Sequence, residues 1–123
     1  MNPTNILVNV DRNLKLIDFG LSRPIINEKE SGETKWLKGY CGTREYLAPE
    51  IQKARENSDF EYSGDKADLF ACGVILYNMV SGKKPFKDAK TSDPRFLTLS
   101  EGNYDEFWKN QGPEFTERFK TII

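Results

Sequence analysis

This sequence predicts an α+β fold, mainly helical, with one β-hairpin at the N-terminus. Three observations carry that reading. Two short β-rich runs, residues 5–9 (NILVN) and 14–18 (LKLID), flank the turn formers Asp11 and Asn13. From 67 to 80 only Asp68, Gly73 and Asn78 interrupt a run of apolar residues, too long for a strand and suited to a buried helix. Near the chain end Phe115, Phe119 and Ile122 stand four and three apart, the spacing of one helical face.

Taken in order, the first two runs fold back on each other as a tight hairpin. Residues 24–39 (PIINEKESGETKWLKG) are polar and aperiodic, which predicts a long exposed loop whose charged stretch 28–35 is simply solvated. Trp36 within it is expected to dock against the helical body, because an indole in water is unfavourable. Residues 48–56 (APEIQKARE) suit one or two helical turns, with Pro49 near the first helical position, where its missing N–H does no harm. Residues 56–64 form another loop. The strongest helix is 64–82 (GDKADLFACGVILYNMVSG), roughly 25 Å long at 1.5 Å per residue. Gly82 supplies its stop, and Pro85 prevents continuation. A helix apolar nearly all round is normally buried on every side, and the rest of the chain can hardly supply that many partners. Residues 87–95 (KDAKTSDPR) read as loop. Residues 103–110 read as a short aromatic-rich helix in which Phe107 and Trp108 pack, a recognition role being the lesser reading. Residues 115–123 form an amphipathic helix with Thr116 as its N-cap.

At 123 residues the chain has the length of one ordinary domain. Eighteen basic residues against nineteen acidic ones leave a net charge of −1, which argues against a nucleic-acid binder. No apolar run reaches the 18 or more residues of a membrane span, so no membrane partner is expected and the location is taken as cytoplasmic or nuclear. Two cysteines, Cys41 and Cys72, and no histidine exclude a Cys/His zinc site and any Ser-His-Asp machinery. Both thiols are expected to be free in a reducing compartment.

Chemistry concentrates at the ends of the hairpin. Asn5 and Asp18 are thirteen positions apart, and folding at the turn brings an amide carbonyl beside a carboxylate. Such a pair suits a hard cation like Mg²⁺, which keeps waters and phosphate oxygens as its other ligands. The plainer alternative is that Asn5 caps a strand and Asp18 ends a turn.

Three motifs follow in sequence: Pro3-Thr4-Asn5, Asp18-Phe19-Gly20 and, closing GTREYLAPE (42–50), Ala48-Pro49-Glu50. Downstream lies DLFACGVILYNMVSGKKPF, with a Gly-x-x-Pro-Phe exit. In this order they resemble the landmarks of the eukaryotic protein kinases, over nearly the whole chain. The flavour is similar to Ser/Thr kinases of the calcium/calmodulin-dependent type. The resemblance implies a partial large lobe: the hairpin, a long activation loop over 19–47, and helices through the start of a late one. It implies Mg²⁺ and ATP as cofactors, with Asp18 on the ion bridging the phosphates and Asn5 on a second metal. Gly20 would let the aspartate move, and Thr43 would orient a catalytic aspartate. Asp68 would anchor the catalytic-loop backbone, and Glu50 would pair with a late arginine. A protein substrate or binding partner is implied as well.

Departures from the family pattern shape the expected activity. The proton-accepting aspartate of H-R-D would stand just before Met1, and the small lobe with its Gly-rich loop and phosphate-holding lysine is not in these residues. The chain as given is therefore expected to be inactive. Asn2 stands where such kinases usually carry a lysine. Gly39 stands where a phosphorylated threonine is usual, while Ser31, Thr34 and Tyr40 are nearby hydroxyls. Phe70 and Ala71 replace a usual Trp-Ser pair. Two functional readings result: a piece of a Ser/Thr kinase that transfers the γ-phosphate of ATP to protein hydroxyls, or a non-catalytic binding or decoy module using the 103–110 region.

Overall fold

Asn9 closes the N-terminal hairpin in a computed structural model that describes residues 1–24, 36–111 and 115–123. Strand β1 (Ile6–Val8) pairs antiparallel with β2 (Leu14–Leu16), in the register Ile6↔Leu16, Leu7↔Lys15, Val8↔Leu14. The Asn9 N–H donates to the Asn13 carbonyl at 3.0 Å, and the Arg12 N–H to the Asn9 carbonyl at 3.0 Å. The Asn13 N–H also reaches the Asn9 side-chain oxygen at 2.8 Å. The left-handed residue of this three-residue loop is Arg12 (φ 63°), in the position glycine most often takes. Asn13 thus contributes as a hydrogen-bonding partner, and the unusual backbone falls elsewhere.

Helix α1 (Pro49–Glu56) opens on Pro49 as expected and buries Ile51, Gln52 and Ala54. It packs against Leu47, Ala48, Tyr62 and Ala67. Helix α2 (Gly64–Ser81) stops at Gly82, which adopts φ 68° and donates its N–H to the Asn78 carbonyl at 2.8 Å. Burial of α2 is one-sided, as expected of a chain that can hardly supply partners for every face. Ala67, Ala71, Val74, Ile75 and Tyr77 face inward, while Leu69 and Met79 are 72% and 74% exposed and Val80 is also open. Among the described residues there is too little chain to wrap a helix that is apolar all round.

Two side-chain groups fix the second half of the molecule. Val74, Phe86, Ala89 and Phe96 form one cluster, with Tyr46, Phe70 and Leu99 packed on it. The Phe that stands in place of the family's tryptophan at position 70 sits 5.9 Å from the Phe86 ring and 6.5 Å from Phe96. The other group is aromatic: Trp108 lies 6.1 Å from Tyr77 and 5.0 Å from Phe115. Phe107 is fully buried beside them. Phe107 and Trp108 are packing residues, as read from the sequence.

Helix α3 (Pro94–Ser100) was not expected from the polar 87–95 stretch. Its signal is Asp93-Pro94: an N-cap carboxylate accepts from the N–H groups of Arg95 (2.9 Å) and Phe96 (3.2 Å), with proline in the first turn. Helices α4 (Tyr104–Lys109) and α5 (Glu117–Ile122) fall where the spacing places them, and the Thr116 hydroxyl caps α5 by accepting from the Phe119 N–H at 3.2 Å. A second two-stranded sheet, β3 (Leu37–Lys38) with β4 (Glu61–Tyr62), pairs Leu37↔Tyr62 and Lys38↔Glu61. Two residues are too few to show a period in sequence, so both strands were read as loop. Trp36, just before β3, is 58% exposed. This corrects the expectation that it docks: pairing fixes the chain from residue 37, and the indole stays mostly open beside Arg23 and Pro24. The stretch 28–35, with Ser31 and Thr34, lies outside the described residues. Among the described residues no helix is long and apolar enough to cross a membrane.

Candidate functional site

A cavity of about 500 Å³ lies between the hairpin's open end, the segment 41–47 and the start of α2. Asn2, Asn5, Asp18, Thr43 and Asp68 all line it. Asn5 and Asp18 reach this cavity from the two strands of the hairpin. The Ile17 N–H donates to the Asn5 carbonyl at 2.9 Å, extending the ladder by one pair and leaving Asp18 one position beyond. Asp18 is itself left-handed (φ 60°), a conformation costly for most residues that aspartate tolerates better than the majority. The Gly20 N–H lies 3.4 Å from the Asp18 carboxylate. A Cβ on Gly20 would sit 3.4 Å from that oxygen, an ordinary contact. The positive backbone angle falls on the aspartate and not on the glycine.

Asn2 does more than the sequence suggested. It precedes a 3-10 turn (Pro3–Asn5), whose Thr4 N–H donates to the Asn2 side-chain oxygen at 3.0 Å. From the other end of the same amide, Nδ2 donates to Thr43 Oγ1 at 3.0 Å. One side chain thus ties the turn carrying Asn5 to the segment carrying Thr43, across 41 positions of sequence. The Asn2-Pro3 pair is the local signal for the turn; nothing local announces the bond to Thr43.

Thr43 leads into a second 3-10 turn (Arg44–Tyr46), whose Tyr46 N–H returns to the Thr43 carbonyl at 3.0 Å. Two ion pairs flank it. The Arg44 guanidinium makes a two-pronged contact with the buried Asp88 carboxylate. Lys84 Nζ meets Glu45 Oε1 at 2.8 Å. The hydrogen bond from Arg44 to Asp88, then their mutual attraction, hold the guanidinium pKa above its ordinary value. The bond from Lys84 likewise holds the Glu45 carboxyl below its usual range. At the other wall, Asp68 Oδ1 accepts from the Met1 ammonium at 3.2 Å. Glu50 sits half-buried in the first turn of α1, and no cation among the described residues pairs with it. Cys41 and Cys72 are free and half-buried.

The donor set decides what the cavity can hold. Among the described residues no group of three or more His, Cys, Asp or Glu could hold a metal ion. Of the carboxylates and amides that line the cavity, Asp18 with Asn5 would suit a magnesium ion that takes its remaining ligands from water and phosphate.

Residues 1–121 match the family described as "Protein kinase domain". The chain belongs to the protein kinase family. It is 44% identical over 88 residues to the CBL-interacting protein kinase 25 of Oryza sativa subsp. japonica, covering 72% of this chain and 16% of that protein. With the CBL-interacting protein kinase 10 of the same organism it shares 42% over 88 residues, 72% and 18% of the two chains. With the Protein kinase 3 of Dictyostelium discoideum it shares 34% over 107 residues, 84% and 11%. The chain thus spans less than a fifth of the length of these relatives. Membership accounts for the mainly helical architecture with its small antiparallel sheets and for the order of the motifs along the chain.

Proposed function

We propose that residues 1–123 are the magnesium- and phosphate-facing part of a Ser/Thr protein kinase large lobe, in a protein that transfers the γ-phosphate of ATP to hydroxyls of a protein substrate. The single observation that carries this is the placement of Asn5 and Asp18 across one hairpin end, lining the same cavity. Asp18 and Asn5 would hold Mg²⁺, the ion supplying charge neutralisation for the phosphates. Thr43, joined to Asn2 on the cavity wall, would orient a catalytic aspartate. Asp68 would anchor the catalytic-loop backbone, and Gly20 and Glu50 keep structural roles. Residues 1–123 by themselves contribute neither a proton acceptor for the substrate nor a small-lobe lysine, so this stretch alone turns over no ATP. A protein substrate or partner and a cytoplasmic or nuclear location belong to the same reading.

Manganese in place of magnesium tests the metal assignment even when binding is weak. Titrated into the ¹⁵N-labelled chain with ADP, Mn²⁺ is expected to broaden amide resonances around residues 5 and 18–20 first. In Asp18→Ala that selective broadening is expected to vanish while the rest of the spectrum is retained. Equal broadening in parent and variant would remove Asp18 from the site.

A further inference from the structure

The segment that delivers Thr43 to the cavity contains two residues that only glycine adopts easily, Gly39 (φ 91°) and Gly42 (φ 116°). Such a stretch has many open conformations, and holding it in one costs backbone entropy. Something must offset that cost. Position 39 has no side chain to carry a charge or a modification, so no cation–anion contact can be made there.

Contacts from the connection between α1 and α2 take its place. β4 pairs with β3 through Leu37↔Tyr62 and Lys38↔Glu61. Lys38 Nζ lies 3.5 Å from Glu61 Oε1, an exposed pair of small worth. The Tyr62 ring is buried in the α1 cluster, and its hydroxyl donates to the Gly39 carbonyl at 3.1 Å. The Arg55 guanidinium, from α1, lies 5.3 Å from the centre of the Tyr40 ring. Each contact joins the segment to a part of the fold that is already anchored in a core.

We propose that Tyr62, with β4 and Arg55, forms a latch that holds residues 37–42, and through them Thr43, in place. The claim deepens the kinase reading and rests on it for the meaning of Thr43; the latch itself is a property of the folded chain. Tyr62 acts as a positioning residue. The hydroxyl is its only polar group, so Tyr62→Phe removes the tie and leaves the buried ring.

Hydrogen–deuterium exchange of the whole 123-residue chain, without nucleotide or metal, tests the latch separately from the metal site. In the parent, amides of 37–42 are expected to be protected. In Tyr62→Phe they are expected to exchange about 2–10-fold faster, the equivalent of one net hydrogen bond, with α2 amides unchanged. Gly39→Ala is a second probe: a Cβ there meets no atom within 4 Å, so its effect comes from the backbone angle alone and should also be confined to 37–42. Unprotected 37–42 amides in the parent would overturn the proposal. So would rates in Tyr62→Phe that match the parent, or a speeding spread evenly over α2 as well.

Discussion

Asp93 shows how one carboxylate makes a segment pH-sensitive. Its partial burial pushes the carboxyl pKa up. The N–H groups of Lys87, Phe96, Asp88 and Arg95 outweigh this and hold it below the usual range. A carboxyl depressed in the folded state contributes stability that is complete above its unfolded pKa and is lost as pH falls through the folded one. Asp93→Ala is therefore expected to cost about 0.5–2 kcal/mol near pH 7. The gap to the parent should narrow as pH drops below about 4; urea unfolding at the two pH values measures both. At this scale Asn5, Asp18 and Thr43, which line the cavity, are legible in the sequence because their motifs are contiguous. The part played by Asn2 is less legible. Its bond to Thr43 joins positions that no local pattern relates.

Among the elements, α2 and α3 mark the two extremes of legibility. A 14-residue apolar run and a glycine stop announce α2 whatever surrounds it, since backbone hydrogen bonding and the left-handed cap are local matters. Helix α3 is seven residues long, and its cap doubles as a tie to Lys87 and Asp88, whose N–H groups donate to Asp93 Oδ2 at 2.8 and 3.3 Å. Its worth therefore depends on packing, which Phe96 supplies from inside the Val74–Phe86–Ala89 cluster. Phe96→Ala removes an aromatic side chain in contact with both Phe86 and Phe70. A loss of about 3–5 kcal/mol is expected, against a total of about 5–15 kcal/mol for an ordinary domain. Chemical denaturation should register it as a large fall in midpoint, with far-UV circular dichroism showing whether α3 is lost first.

For the molecule as a whole, the open apolar surface is the dominant feature. Leu69, Met79 and Val80 on α2 are exposed, and so are Val10, Leu14 and Leu16 on the hairpin. Exposed apolar patches of more than a few hundred Å² favour association in water. The purified chain is expected to bind a fluorescent apolar dye and to sediment as more than a monomer. The double substitution Leu69→Lys with Met79→Lys should raise the monomer fraction and leave helix content unchanged. A parent chain that is monomeric and dye-free would show that these faces do not drive association.

The sequence by itself determined the family, the order of its motifs, the hairpin, and the helices whose apolar period and caps lie within a single stretch. Hydrogen bonding and capping act over a few residues, so those features can be read without knowing what lies opposite. The tertiary structure alone decided the β3–β4 pairing, the exposure of Trp36, which face of α2 is buried, and the ties of Asn2 to Thr43 and Arg44 to Asp88. Each of those is a contact, or the lack of one, between parts of the chain brought together only when the cores form, and its energy depends on geometry that spacing along the sequence does not encode.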